Sequence, residues 1–221
     1  MNNNSSRSAS PSRPRGRPKS EAKHREILDA AGECFLERGL SETSMDQIAQ
    51  RAGVSKQTVY SHFNSKDELF QGVIRAKCAH YRFDTQAAAA TEYGSPAEGL
   101  YDITRRYLEL ALDPQVVAMN RQLAAQSMSS SEMAQLFFQA GPLPTIRCVA
   151  DFLSRHQAAG RLRGLEDLQT HAADYVHETG ARFKFELMMN LRDEVGPRER
   201  ERYVRRRVDE FLAAYDAHTG S

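Results

Sequence analysis

Cysteine is scarce in this chain, with only Cys34, Cys78 and Cys148 among 221 residues. An odd number at wide, irregular spacing excludes a disulfide framework and the paired spacing of a zinc site. Cys34 and Cys148 lie in apolar helical contexts and are expected as buried thiols. Cys78 has Lys77 and His80 beside it and is the one a redox role would use, because a reactive thiol needs exposure and a basic setting. No apolar run reaches the roughly 18 residues of a membrane helix. The polar N-terminus lacks the apolar centre of a secretory signal. Its Arg and Ser content fits an organelle transit peptide, but Pro11, Pro14 and Pro18 break the amphipathic helix such a peptide forms. The expected location is cytoplasmic, with no membrane partner. Also missing are a Gly-rich phosphate loop, a nucleophile elbow and a zinc-protease helix, so nothing asks for an enzyme or a cofactor. There is no strand pattern and no internal repeat, which leaves an all-α chain.

The formal net charge is only +1, so the chain is not polybasic as a whole. The charge is unevenly placed. Arg7, Arg13, Arg15, Arg17 and Lys19 precede Glu21, with no acidic residue among them. Residues 1–20 are rich in Asn, Ser, Pro and Arg and are expected to be disordered when free. A basic arm on a balanced body points to nucleic acid rather than a membrane surface.

The most informative stretch runs from Thr43 to Lys66, TSMDQIAQRAGVSKQTVYSHFNSK. Met45, Ile48, Ala49 and Ala52 recur at helical spacing, then Gly53, Val54 and Ser55 interrupt, and a second helix is expected over about Lys56 to Phe63. Ala49 is small enough for two helices to cross closely. Gly53 can take the positive backbone angle a sharp turn needs, Val59 fills the angle between the helices, and Ser55 caps the second one. Two short helices around a glycine also occur in ordinary helical hairpins. What separates this case is the capping box that follows at once, Ser65 with Glu68 three residues on. The reading is a helix-turn-helix whose second helix enters the DNA major groove.

Residues from about Ala22 to Ile74 resemble the DNA-binding domain of the TetR/AcrR family of bacterial transcriptional regulators. The resemblance rests on ILDAAGECFLERG (Ile27 to Gly39), on TSMDQIAQRAGVSKQTVYSHFNSKDEL (Thr43 to Leu69), and on their order. It implies a homodimeric, all-helical, one-component regulator. An N-terminal three-helix reader (21–66) would follow the arm (1–20) and precede a C-terminal helical effector-binding and dimerisation domain (67–221). Met133 to Arg163 resembles the matching part of AefR-like regulators, by spacing more than by identity.

On the reader, Ser55, Lys56, Gln57, Thr58 and Tyr60 are the expected recognition-helix residues. Gln57 and Thr58 sit in the first turn, where Gln can pair bidentately with adenine and Thr can meet a thymine methyl or offer its hydroxyl. Tyr60, His62 and Lys66 are expected on phosphates. Thr43 and Ser44 open the preceding helix and either grip a phosphate or simply cap it. In the arm, Arg15, Gly16 and Arg17 within RPRGRPK resemble an AT-hook. Gly16 would let the backbone sink into a narrow minor groove while the arginines extend along its floor. A plain solubilising tail is the alternative.

Helices are expected over about Glu21–Arg38 and Lys66–Ala87, then Ala97–Leu112, Gln115–Ser127 and from Glu132 to about Ala159, with a kink or break at Pro142 and Pro144. A long helix over Leu165–Leu191 and a last one over Arg198–Ala217 complete the chain. The apolar side of the last helix is expected to pack on the long one and help form a four-helix dimer interface. The resemblance implies a small-molecule pocket among the central helices, with Tyr107, Met119, Gln122, Phe137, Phe138 and His177 as candidate lining residues, each equally at home in a core. His171, Asp174, His177 and Glu178 are chemically able to hold a metal, but a polar stripe is the plainer reading because no tight His-x-x-x-His pair is present; no metal is expected.

These readings converge on a ligand-responsive homodimeric repressor on a palindromic double-stranded operator, its effector a small molecule of unknown identity. Two alternatives stand beside it: a ligand-independent activator or global regulator, and an architectural protein of A·T-rich DNA.

Overall fold

The computed structural model of the protein describes residues 17–83, 92–126 and 131–217. Within them the chain forms α1 (Arg17–Glu42), α2 (Met45–Arg51), α3 (Lys56–His62) and α4 (Lys66–His80). Then follow α5 (Pro96–Ala111), α6 (Pro114–Gln126), α7 (Glu132–Ala140), α8 (Pro142–Ala158), α9 (Leu168–Glu178), α10 (Ala181–Met188) and α11 (Pro197–Tyr215). Among the described residues the one extended pairing is an isolated antiparallel bridge between Leu162 and Asp216. The all-helical class stands.

The first four helices pack as the apolar spacing requires. α1 buries Ile27, Leu28, Ala31, Cys34 and Phe35, three to four residues apart, which places them on one face. That face meets α2 and α4. Phe35 and Phe70 are fully buried and meet edge to face at 5.4 Å, an arrangement worth about 0.5–1.5 kcal/mol beyond area burial. α1 breaks its helical geometry at Gly39 (φ 79), close to its expected end. Its start at Arg17 is earlier than the expected Glu21, so the arm and the helix share residues. Arg15 and Gly16 lie outside the described residues, as does the Arg17 side chain.

Two expected helices are corrected. α4 stops at His80 rather than Ala87. The Phe83 N–H reaches back to the Cys78 carbonyl and the Arg82 N–H to that of Ala79, with Arg82 left-handed at φ 61. This is a Schellman closure. It is braced from α5, where the buried Arg106 donates to the carbonyls of Tyr81 and Arg82. The expected long helix over 165–191 is two helices, α9 and α10. Gly180 at φ 71 interrupts them, its N–H donated to the Tyr203 hydroxyl, which itself donates to the Glu178 carbonyl. The kink at Pro142 is present as the α7–α8 junction.

α5 forms the centre of the second half. Thr104, Leu108 and Leu100 are buried on it. α11 packs along α5 rather than chiefly on the 165–191 segment, although Phe211 reaches Tyr175 of α9 at 5.0 Å. Leu108, Val117, Phe183, Leu187 and Val204 form a second small core where α5, α6, α10 and α11 meet.

Candidate functional site

The α2–α3 turn is built as its sequence indicates. Ser44 accepts the Gln47 N–H at 3.3 Å, and the Gln47 side chain accepts the Ser44 N–H at 2.8 Å, a reciprocal capping box. Gly53 sits at φ 63, with the Val54 N–H bonded to the Ala49 carbonyl. Val59 is fully buried between the two helices. Ser55 caps α3 through the Thr58 N–H at 3.1 Å, and its hydroxyl meets that of Thr58 at 2.8 Å. At the start of α4, Ser65 accepts the Glu68 N–H, while Glu68 takes the backbone N–H and side-chain amide of Asn64 rather than the Ser65 N–H.

This scaffold leaves one face of α3 open. Lys56, Gln57, Tyr60 and Ser61 are exposed. Lys56 is held by Asp46 at 2.9 Å, a contact that raises its pKa through the hydrogen bond and the charge. Tyr60 is 45% exposed, a large ring kept in water. Ser61 shares the face of Gln57 four residues before it, and its hydroxyl donates to the Thr58 carbonyl at 2.7 Å.

Two expected phosphate contacts, Thr43 and Lys66, have other partners, and a third, His62, is turned toward α1. Thr43 is buried, and its hydroxyl donates to the Gly39 carbonyl at 2.7 Å and that of Cys34 at 3.2 Å. It ties down the end of α1. Lys66 donates to the Thr43 carbonyl at 2.9 Å and to that of Ser41 at 3.4 Å, bracing α4 against the α1–α2 turn. His62 is half-buried and faces α1, its ring 5.6 Å from His24. Burial and the nearby His62 lower the His24 pKa, and His24 stacks on the buried Phe63 at 4.7 Å. Ser44, exposed and capping, remains on the surface.

Behind the reader lies a cavity of about 140 Å³. Gly32 and Leu36 of α1 and Val73 and Ile74 of α4 form one wall. Tyr107 and Leu110 of α5, Met119 of α6 and Phe137 of α7 form much of the rest. The lining is mostly apolar, with Lys77 and Lys184 as its cations. Lys77 is neutralised by Asp113 at 3.2 Å and bonded to Gln115 at 2.7 Å. Tyr81 also donates to Asp113, and burial with that bond pushes the phenol up to about 12.

Residues 98–217 match the family model described as "AefR-like transcriptional repressor, C-terminal domain", and residues 27–73 match "Bacterial regulatory proteins, tetR family". The chain belongs to the TetR family. Its members are DNA-binding transcriptional regulators, not enzymes. SrpR of Pseudomonas putida, an HTH-type regulator, is 44% identical over 57 residues, 26% of this chain and 27% of SrpR. TtgR of Pseudomonas putida is 30% identical over 115 residues, 50% of this chain and 53% of TtgR. These alignments thus span about a quarter to a half of the relatives' lengths. Among solved structures, the flavonoid-responsive regulator FrrA is 31% identical with a TM-score of 0.67, over 90% of this chain and 99% of that one. A TetR-family regulator from Mesorhizobium loti is 25% identical with a TM-score of 0.71, over 90% and 100%.

In this TetR-family chain, Tyr107, Met119 and Phe137 line the cavity, and Gln122, Phe138 and His177 do not. Gln122 donates to the Leu36 carbonyl, tying α6 to α1. Phe138 is 42% exposed and His177 lies on the open face of α9. In a helix their neighbours Phe137 and Val176 point about 100° away, which is why adjacent residues divide between cavity or core and solvent. Of the lining residues that the sequence did not suggest, Gly32 and Leu36 come from α1 of the reader, and Leu110, Asn120, Thr145 and Lys184 from the helices facing it. Only the tertiary packing brings them there.

All three cysteines are buried. Burial pushes the Cys78 thiol up to about 11, so the thiolate a redox sensor needs is suppressed, although Cys78 does border the cavity. Glu178 pairs with Arg207 at 2.8 Å, and His171 lies against the Tyr215 ring. Among the described residues no three His, Cys, Asp or Glu gather in a group able to hold a metal. No helix among them is long and apolar enough to cross a membrane.

Proposed function

We propose that this TetR-family regulator is a ligand-responsive homodimeric repressor. Its α3 reads a palindromic operator, and a small, largely apolar effector releases it. One observation carries the reading: the apolar cavity is walled on one side by α1 of the reader and by α4, which continues directly from it, and on the other by α5, α6, α7, α8 and α10. A molecule that prefers a wider cavity must move these walls apart. It therefore shifts the population toward a reader spacing that fits DNA poorly, by as much as its affinities for the two states differ.

The DNA side is supported by the open face of α3. Gln57 is free to pair with a base edge, and Lys56 and Tyr60 flank it. Two copies related by a two-fold axis would set half-sites a helical turn or more apart. The arm through Arg15, Gly16 and Arg17 would add contacts in the adjacent minor groove. The second copy would dock on the apolar side chains exposed at the end of α10, Phe185, Met189 and Leu191. FrrA, by its name a flavonoid-responsive regulator, is a neighbour consistent with an apolar effector. The protein would act in the cytoplasm.

The test is binding of the purified protein to fluorescent fragments flanking its own gene, against random duplex, across a salt series. Tight binding to one palindromic fragment, falling steeply with salt as phosphate contacts require, is expected. Equal binding to every fragment would overturn specific regulation at that locus.

A further inference from the structure

We propose that the cavity takes an amphipathic monoanion, a molecule with an apolar body and a single carboxylate, held by the Lys184 ammonium. This rests on the reading of the cavity as an effector site. Lys77 is paired with Asp113 and Gln115. Asn120 donates to the Val116 carbonyl and Thr145 to that of Gly141. Among the described residues, no hydrogen bond or ion pair engages the Lys184 ammonium or the Tyr107 hydroxyl, and both border the cavity.

No carboxylate nearby is free to serve Lys184. Asp113 is taken by Lys77, Tyr81 and the backbone N–H groups of Gln115 and Val116. Glu186, on the same helix, is taken by Arg182 and Arg192. Lys184 is therefore a half-buried cation facing apolar walls without a counter-charge. Its surroundings disfavour the charge and lower its pKa through desolvation alone. A bound carboxylate would reverse that penalty, since an opposite charge at close range favours the ionised ammonium. Two unspent donors in an apolar hollow match the acceptor-only chemistry of a carboxylate. An alcohol or an amine of the same body leaves the ammonium without a counter-charge.

The experiment uses the full chain and displacement of the uncharged dye Nile red, with decanoate against decanol and 2-naphthoate against 2-naphthalenemethanol. In the unmodified protein at least one acid should bind about 10- to 100-fold tighter than its alcohol, the range for a charge-assisted hydrogen bond. Lys184→Met should remove that preference while the cavity still binds Nile red, which also reports that the variant is folded. Lys184→Arg should retain it. Equal binding of acid and alcohol, or a preference that survives Lys184→Met, would overturn the anion assignment while leaving the cavity as an apolar effector site. If neither dye nor any probe binds, the effector reading itself falls, and this inference with it. The acid–alcohol comparison in the unmodified protein decides the matter even if the methionine variant fails to fold.

Discussion

At the scale of single residues, Thr43 and Gln57 show how similar polar side chains divide between fold and function. Thr43 is 2% exposed with its hydroxyl committed to two carbonyls, whereas Gln57 is exposed and makes no such bond. Gln57→Ala is expected to weaken binding to the operator by about 1–3 kcal/mol, the worth of a good bidentate base contact. Its affinity for random duplex and its urea midpoint should stay unchanged. Thr43→Val in the same assays should behave oppositely, losing about 1–3 kcal/mol of stability with its ratio of operator to random-duplex affinity intact. The sequence puts Gln57 toward a base edge and leaves Thr43 between a phosphate contact and a cap; the structure gives Thr43 a third role, because its partners are backbone carbonyls that only the folded α1 end supplies. A second residue-scale prediction concerns His156, which is 6% exposed with an unpartnered Nδ1. Burial, then Arg161 and Arg155, lower its pKa below the ordinary 6.5. The folded state therefore refuses a proton that the unfolded chain accepts. Stability contributed by neutral His156 is intact above the unfolded pKa and is lost as pH falls from there toward the lower folded pKa. His24 acts in the same direction. His156→Phe, which keeps the ring beside Phe152, should lose less of its urea midpoint between pH 7.5 and 5.5 than the unmodified protein. An equal loss in both proteins would remove His156 as a contributor.

At the scale of elements, most helix ends were legible because their causes are local. Ser44, Ser55, Ser65 and Ser95 each cap a helix through their own side chain, and Pro96, Pro114 and Pro142 each open one. The two misjudged ends have distant causes. α4 ends early because Arg106, 24 residues beyond Arg82, binds the carbonyls of Tyr81 and Arg82 just past its end, and because Arg82 takes a left-handed angle usually left to glycine. The break at Gly180 was hidden by apolar and polar residues that continue in helical register on both sides. It depends on Tyr203, 23 residues away, bonding the freed N–H. Gly180→Ala tests that account. An added Cβ would sit 2.7 Å from Leu108 Cδ1, at a backbone angle that disfavours side chains. The expected cost is about 1–3 kcal/mol in urea unfolding, from the left-handed backbone and the overpacking together. A neutral result would mean that α9 and α10 can join into one helix without loss.

At the scale of the whole molecule, the remaining question is what covers the apolar end of α10. Phe185, Met189 and Leu191 are 59%, 58% and 68% exposed. They cluster within one turn and the loop after it, beside a charged network in which Arg192 binds Glu186 and Glu199. An apolar centre with a charged rim is the anatomy of a protein interface. Specific interfaces bury about 1,200–2,000 Å² in all, so these side chains would form its centre and not its full extent. The resemblance implies a second copy, and the sequence places the interface on the last helix and the long helix over 165–191; the break at Gly180 divides that long helix, and the apolar side chains left in water lie on its second part, α10. Joining two readers turns the second half-site into an intramolecular event worth roughly 10²–10⁴ in apparent affinity. The Phe185→Glu, Leu191→Glu double variant is therefore expected to sediment as a monomer and to bind the palindrome at least about 100-fold more weakly. Its affinity for an isolated half-site should be unchanged, because α3 is not touched. If the variant remains dimeric with full operator affinity, the two copies meet elsewhere, and the apolar end of α10 serves some other contact. If it becomes monomeric yet binds the palindrome as tightly as before, the linkage between dimerisation and operator recognition fails, and each reader acts alone.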